Sequence, residues 1–303
     1  MLKLIHAADF HLDAPFAALP PERAAERREE QRQLLTRLAE LAEAERADLV
    51  LLSGDLLDSD QARYETVQAL ARALGEMKIP VFIAPGNHDF WSARSPWSAG
   101  AWPENVHIFS RSSLEAVELP GLGCTVYGAA FTAPACDQSP LKGFSAPEDG
   151  GLHLMVLHGD VDGRGRYGSI DRADIAASGL DYLALGHIHA CSGLQKEGNT
   201  WWAYPGCPEG RGFDELGDKG VLVVEAEKGN VSARFAPLCR RRYRMLTVDL
   251  SGGENPAEAL AAALPRDGQN DICRILLTGE SGVEGLDLEA LEAVAQPYFY
   301  SVT

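Results

Sequence analysis

The stretch IPVFIAPGNHD, residues 79–89, decides how the chain is read. Val81, Phe82, Ile83 and Ala84 run without polar interruption and stop at Pro85-Gly86. Three side chains rich in donors and acceptors follow at once: Asn87, His88 and Asp89. A short unbroken apolar run closed by Pro and Gly predicts a strand buried on both faces. The same pattern occurs twice upstream: LKLIHAAD ends in Asp9, with His11 just beyond, and ADLVLLSGD ends in Asp55. Between the three lie stretches of helical character, residues 22–46, with Leu34, Leu35, Leu38 and Leu41 apolar, and residues 64–77. Strand–helix–strand–helix–strand with near-continuous apolar strands predicts βαβ units and a largely parallel sheet, hence an α/β fold. Functional residues of such sheets gather at the carboxyl ends of the strands, where all three motifs fall.

From about residue 106 the pattern changes to short strands punctuated by Gly and Pro: VHIFS, CTVYGAA, HLMVLHG and DYLALGHIH. GVLVVEAE and VSARFAPL follow, joined by a turn at Lys228-Gly229-Asn230. These segments are expected to build a second sheet, mixed or antiparallel. HLMVLHG brings His158 to a strand end, and DYLALGHIH brings His187 and His189. In an extended segment residues i and i+2 point the same way, so these two imidazoles face one spot. Beyond the basic run RRRYR (residues 240–244), two strands and two helices, near 256–263 and 287–295, predict a small α+β unit. The expected division is 1–240 and 241–303, with the boundary near Arg241.

Composition narrows the function classes. The chain has 303 residues, 46% hydrophobic and 23% charged, the profile of a globular enzyme. No apolar run of about 18 residues appears, so no transmembrane helix and no membrane partner are expected. The N-terminus meets a charge too early for a secretory signal, which leads to a cytoplasmic expectation. The 6 cysteines lack a C-x-x-C pair and read as reduced, buried thiols. A net charge of −17 argues against a general nucleic-acid binder, although carboxylates gathered around divalent cations account for part of it.

The candidate ligands stand in chain order: Asp9-x-His11, Gly54-Asp55, Gly86-Asn87-His88-Asp89, His158-Gly159 and Gly186-His187-x-His189. Each motif alone is common; the ordered set is not. Seven Asp, Asn and His side chains, with His88 as an eighth group, exceed what one metal takes and suit two divalent ions with one carboxylate bridging. Such a pair clamps a phosphoryl group during in-line displacement. Carboxylate, amide and imidazole donors without thiolate suit Mn²⁺, Fe²⁺ or Zn²⁺. Gly54, Gly86 and Gly186 are read as turn residues that swing the next side chain inward. His6, His107 and His153 lie away from strand ends and are expected to be core residues.

On these motifs the sequence resembles the calcineurin-like metallophosphoesterases. Within them HAADFHLDAPF, VLLSGDLLD, IPVFIAPGNHD, LDYLALGHIH and YPGCPEGRGFDELGDKG make it similar to the shorter bacterial branch of SbcD-type DNA repair exonucleases. The resemblance implies a two-sheet α/β/β/α sandwich with a C-terminal capping domain. It implies that Asp9, His11 and His189 hold one ion, that Asn87, His158 and His187 hold the other, and that Asp55 bridges them. By the same resemblance His88 reaches the scissile phosphate, with Asp89 orienting its ring. The ions would most often be Mn²⁺ and the substrate double-stranded DNA ends, in repair. An SbcC-like ATPase partner and a homodimer are also implied. Two departures stand out: Leu57 replaces the usual aromatic of G-D-x-F-D, and the chain stops at PYFYSVT, before the helices that grip the ATPase. Truncation or loss of that docking element is therefore expected.

Two further readings stay open. The same clamp would serve a phosphodiesterase or phosphatase acting on a small molecule or cyclic nucleotide, which the acidic charge favours. A non-catalytic scaffold would be expected to have lost ligands, whereas every position here is filled. RRRYR is read either as a phosphate contact or as a solvated turn. Trp91, Trp97 and Trp102 are read either as packing or as a base-stacking platform.

Overall fold

The structure is a computed structural model, and it describes residues 1–303 except 18, 164, 252–254 and 282–284. The chain divides into two compact units, Met1–Pro208 with Gly220–Leu238, and Glu209–Lys219 with Cys239–Thr303.

The first unit holds two six-stranded sheets. One contains β1 (Leu2–Ala7), β2 (Leu49–Leu52), β3 (Val81–Ile83), β4 (Val106–Ile108), β11 (Gly220–Glu227) and β12 (Asn230–Pro237), in the order β12-β11-β1-β2-β3-β4. β1 through β4 run parallel, and helices α1 (Pro21–Glu45) and α2 (Tyr64–Glu76) are the crossovers between β1, β2 and β3. β11 joins β1 antiparallel, and β12 joins β11 in the same sense. The other sheet contains β5 (Glu115–Leu119), β6 (Cys124–Gly128), β7 (Leu152–His158), β8 (Tyr182–Gly186), β9 (Gln195–Glu197) and β10 (Thr200–Ala203), in the order β5-β6-β7-β8-β10-β9. Its central strands are parallel and its edges antiparallel.

Side-chain alternation explains the layers. Val50, Leu52, Val81 and Ile83 pack with Leu34, Leu35 and Leu38 of α1 and with Leu70 and Leu74 of α2. Their neighbours Leu49, Leu51 and Phe82 point the opposite way, into a core shared with Val126, Leu154, Val156, Tyr182 and Ala184 of the second sheet. Met155, Leu157, Leu183 and Leu185 in turn pack against Ile175 of α4 (Arg172–Ala177). Helix, sheet, sheet, helix is therefore the order of layers, and strands apolar on both faces are what this order demands.

One expectation is corrected here. VHIFS, GVLVVEAE and VSARFAPL do not extend the second sheet; they flank the first, as β4, β11 and β12. A strand's burial pattern records how many of its faces are covered, not which strand lies beside it.

In the second unit β13 (Tyr243–Asp249), β14 (Ile272–Thr278) and β15 (Ser301–Val302) pair in parallel. α5 (Pro256–Ala263) and α6 (Leu288–Ala295) connect them over a core that includes Val248, Leu260, Cys273, Leu291 and Phe299. The arginine run turns inward on this unit. Arg241 is buried with its guanidinium 3.2 Å from the Tyr300 ring centroid. Arg242 bonds both oxygens of Asp271 at 3.0 Å, and Arg244 reaches Asp267 at 3.2 Å. The run is neither a bare phosphate-binding patch nor a solvated turn. The tryptophan loop, which includes the short helix α3 (Pro96–Ala99), takes the packing reading. Trp97 is buried, stacks on Trp102 at 5.2 Å and donates its indole N–H to the Asp89 carbonyl, while Trp91 and Trp102 lie against the first core.

Candidate metal centre

The β1–β2 pairing does not stop where the strands stop. Asp9 N donates to Gly54 O at 3.0 Å, His11 N to Asp55 O at 3.0 Å, and Leu12 N to Leu56 O at 2.9 Å. This zipper holds the first two motifs in register with each other. Within it the backbone is left-handed at Asp9 (φ 55°), His11 (φ 45°) and Asp55 (φ 50°), and His187 across the centre has φ 110°. Such conformations cost about 1–3 kcal/mol each in a non-glycine residue and persist only where the surroundings impose them. They turn these side chains toward a common point.

Only one of the three motif glycines is there for a turn. Gly54 has φ 84°. Gly86 and Gly186 are required by close approach: a Cβ would lie 2.2 Å from Asp55 Oδ1 at Gly86 and 1.9 Å from the Ser53 carbonyl at Gly186. The latter contact is where the two sheets come together beneath the site.

The predicted ligands converge. His158 Nε2 lies 3.0 Å from Asn87 Oδ1 and 3.4 Å from Asp55 Oδ2. His11 Nε2 lies 3.2 Å from His189 Nε2 and 3.8 Å from the same Asp55 Oδ2, while His189 Nε2 is 3.9 Å from Asp9 Oδ1. Asp9, His11 and His189 form one cluster of donor atoms, and Asp9, Asp55 and His158 another. His187 packs its ring edge-on to His158 at 5.2 Å and donates its backbone N–H to both Asp9 oxygens at 3.1 Å. Donors that share an ion at about 2.0–2.2 Å stand about 3 Å apart, so the set fits divalent cations.

Outer contacts orient the rings. His158 Nδ1 donates to the Ser53 carbonyl at 2.8 Å, and His11 Nδ1 faces Asp58 Oδ1 at 3.2 Å. Both leave Nε2 turned inward, as metal-binding imidazoles require. Asp58 also faces His88: its carbonyl is 3.1 Å from His88 Nδ1, and a third donor cluster joins His11, Asp58 and His88. The sequence reading did not place Asp58 in the site, although its spacing in Gly54-Asp55-x-x-Asp58 is the signal that could have done so.

Asp89 has a different task from the one expected. It is fully buried and accepts backbone N–H bonds from Gly86 at 2.7 Å, Leu56 at 2.8 Å, Leu57 at 3.1 Å and Asp55 at 3.2 Å. It ties the second and third motifs together and does not orient the His88 ring; the Asp58 carbonyl does that. Exposed at the mouth of the site, His88 donates its own backbone N–H to Asp55 Oδ1 at 2.9 Å.

Burial and mutual charge set the proton balance. Burial raises Asp9 to about 6 against the pull of His158, and burial with the Asp55 charge raises Asp89 to about 7. Burial also works against ionised Asp55, yet His158, His11 and His88 hold it well below the usual carboxylate range. His158 feels the reverse balance: burial disfavours its charge, but Asp55 and Asp9 bring it up to about 9. His187 is pushed down to about 4 by burial and the neighbouring His158. A cation held by these carboxylates and imidazoles would supply the positive charge that His158 otherwise carries as a proton.

Residues 2–191 match the family model described as calcineurin-like phosphoesterase. The chain belongs to this family. Its members hydrolyse phosphoesters with divalent metals. The chain is 32% identical over 266 residues to the "Uncharacterized metallophosphoesterase YhaO" of Bacillus subtilis, covering 84% of this chain and 64% of that protein's length. It is 24% identical to the SbcD component of the nuclease SbcCD of Staphylococcus epidermidis (78% of this chain, 70% of the relative). It is 27% identical to "DNA double-strand break repair protein Mre11" of Aeropyrum pernix (88% and 68%). Among the described residues, no helix is long and apolar enough to cross a membrane.

Proposed function

We propose that this phosphoesterase is a two-metal nuclease that hydrolyses DNA phosphodiester bonds, as an exonuclease and also an endonuclease, in repair of broken ends in the cytoplasm. One observation carries the two-metal part: Asp55 Oδ2 stands between two imidazoles, 3.4 Å from His158 Nε2 and 3.8 Å from His11 Nε2. In this reading Asp9, His11 and His189 would hold one ion, Asn87, His158 and His187 the other, and Asp55 would be shared between them. The oxygen and nitrogen donors suit Mn²⁺, Fe²⁺ or Zn²⁺, and likeness to the SbcD-type nucleases favours Mn²⁺ among them. When bound, the pair supplies charge neutralisation at the phosphoryl group and an activated water.

The protein's own contribution centres on His88. With Nδ1 donating to the Asp58 carbonyl, its Nε2 is free to face substrate and, when protonated, to stabilise charge on the phosphate or give a proton to the leaving oxygen. Asp89 supports this only through the loop backbone.

Likeness to a nuclease component and to a double-strand break repair protein supports DNA as substrate. Under the same reading residues 241–303 cap the site and orient the duplex, and an ATPase of the SbcC kind or a second copy of the chain is a partner. The net charge of −17 favours the rival reading, a phosphodiesterase or phosphatase acting on a small molecule or cyclic nucleotide. End-labelled linear duplex and a small chromogenic phosphodiester, each incubated with Mn²⁺ and wild type or His88→Ala, separate the two. Cleavage of both substrates is expected, and loss of roughly 100-fold or more in a variant that still binds metal. Turnover of the small diester alone would move the substrate to small molecules.

A further inference from the structure

Helix α1 carries a group of polar side chains that face away from water. Arg27 and Gln31 have 0% exposure and Glu30 has 4%. Arg27 Nη1 donates to Glu30 Oε2 at 2.7 Å, and the Arg27 guanidinium lies 5.4 Å from the Phe16 ring centroid. Gln31 has a different role. Its Nε2 donates to the backbone carbonyls of Phe10 at 3.3 Å and His11 at 3.2 Å, while its Oε1 is buried without a hydrogen-bond partner.

That half-satisfied amide is informative. A buried polar atom without a partner is destabilising, a penalty that methionine of similar length would avoid. Two carbonyls face the amide, so only its NH₂ end serves them, and the orphaned oxygen is the consequence. The carbonyls belong to the left-handed segment at Asp9 and His11, where the chain leaves β1 and its C=O groups turn toward α1. The next part of the loop is pinned from α2: Asp13 accepts from Arg63 N at 2.9 Å and from Thr66 Oγ1 at 2.8 Å.

We propose that Gln31 is a positioning residue for the Asp9–His11–His189 side of the centre. It acts through the loop carbonyls, holding His11 Nε2 at 3.2 Å from His189 Nε2. The proposal rests on the two-metal reading above. Its specific content is that one face of the site depends on a helix residue that touches no ligand side chain.

Mn²⁺ titration of the apo chain by calorimetry, with electron paramagnetic resonance to detect a coupled ion pair, tests it. Gln31→Met keeps length and removes the donor; Gln31→Glu keeps length and, when ionised, turns acceptors toward the carbonyls. Either variant that folds should weaken one of two stepwise affinities by about 10- to 100-fold, leave the other within about twofold, and lose the coupled signal. Leu35→Ala, buried on the same helix in the first core, should lower the melting temperature and leave both affinities unchanged. Unchanged affinities in a folded Gln31 variant, or equal weakening of both, would overturn the proposal. A wild type that binds fewer than two ions would instead remove the two-metal reading itself.

Discussion

Asp55 faces imidazoles on both sides of the candidate centre. Its Oδ2 faces His158 and His11, and its Oδ1 accepts the His88 backbone N–H. Asp55→Asn removes the charge that would bridge two cations and puts an amide where that bridge belongs. It should lower bound Mn²⁺ from two equivalents to at most one, measured by elemental analysis after gel filtration; two retained equivalents would refute the bridge. His6, one strand away, behaves as a core residue. It is bonded to Ser53 Oγ at 3.0 Å and Tyr182 Oη at 2.8 Å, and burial pushes its pKa from 6.5 down to about 3. Between those values the unfolded chain takes up a proton that the folded chain excludes. The His6 contribution to stability is therefore complete above about pH 6.5 and declines as pH falls toward 3. His6→Gln should flatten the fall of the urea midpoint between about pH 7 and pH 4, and an unaltered pH profile would exclude His6 as its source.

At the scale of elements, the centre is a set of strand ends held by things outside the strands. The D-x-H loop is zipped to the loop after β2, bonded from α1 by Gln31 and pinned to the start of α2 by Asp13. Asp89 fastens the G-N-H-D turn to the G-D turn through three backbone bonds, and a fourth, from Gly86, closes its own turn. Where β8 ends against β2, Gly186 leaves no room for a methyl group, since a Cβ would lie 1.9 Å from the Ser53 carbonyl. Gly186→Ala should force the sheets apart locally and cost about 1–3 kcal/mol, read as a lower urea midpoint. A midpoint equal to wild type would mean that the contact relaxes freely.

For the whole first unit, the consequence is stored like-charge tension. Asp9, Asp55 and Asp89 share one buried space with His158, and the chain as a whole carries a net charge of −17. A divalent cation held by the folded arrangement alone would stabilise it by mass action, so Mn²⁺ at about 1,000 times its dissociation constant should add about 4 kcal/mol to stability. A melting temperature several degrees higher with Mn²⁺ than with chelator is the expected result from calorimetry, and identical melting curves would argue against a resident metal. The second unit directs its most basic run onto its own Asp267 and Asp271.

Local pattern was enough for much of this. Apolar runs ending in Asp9, Asp55, Asn87, His158 and His187 exposed both the strands and the candidate ligands, because a doubly buried strand and a strand-end motif are written in consecutive residues. Helix limits were legible for the same reason: residues 64–77 were expected and Tyr64–Glu76 is observed. Tertiary structure alone decided which sheet β4, β11 and β12 join, since any apolar strand can extend any open edge. It alone gave Asp89 its backbone partners, brought Asp58 to the rings of His11 and His88, and set Gln31 under the loop it holds. Apart from the local Gly86–Asp89 bond, these contacts join positions 20 to 47 residues apart. Nothing in the spacing of a chain encodes which distant carbonyl a buried amide will meet; packing of helix on sheet does.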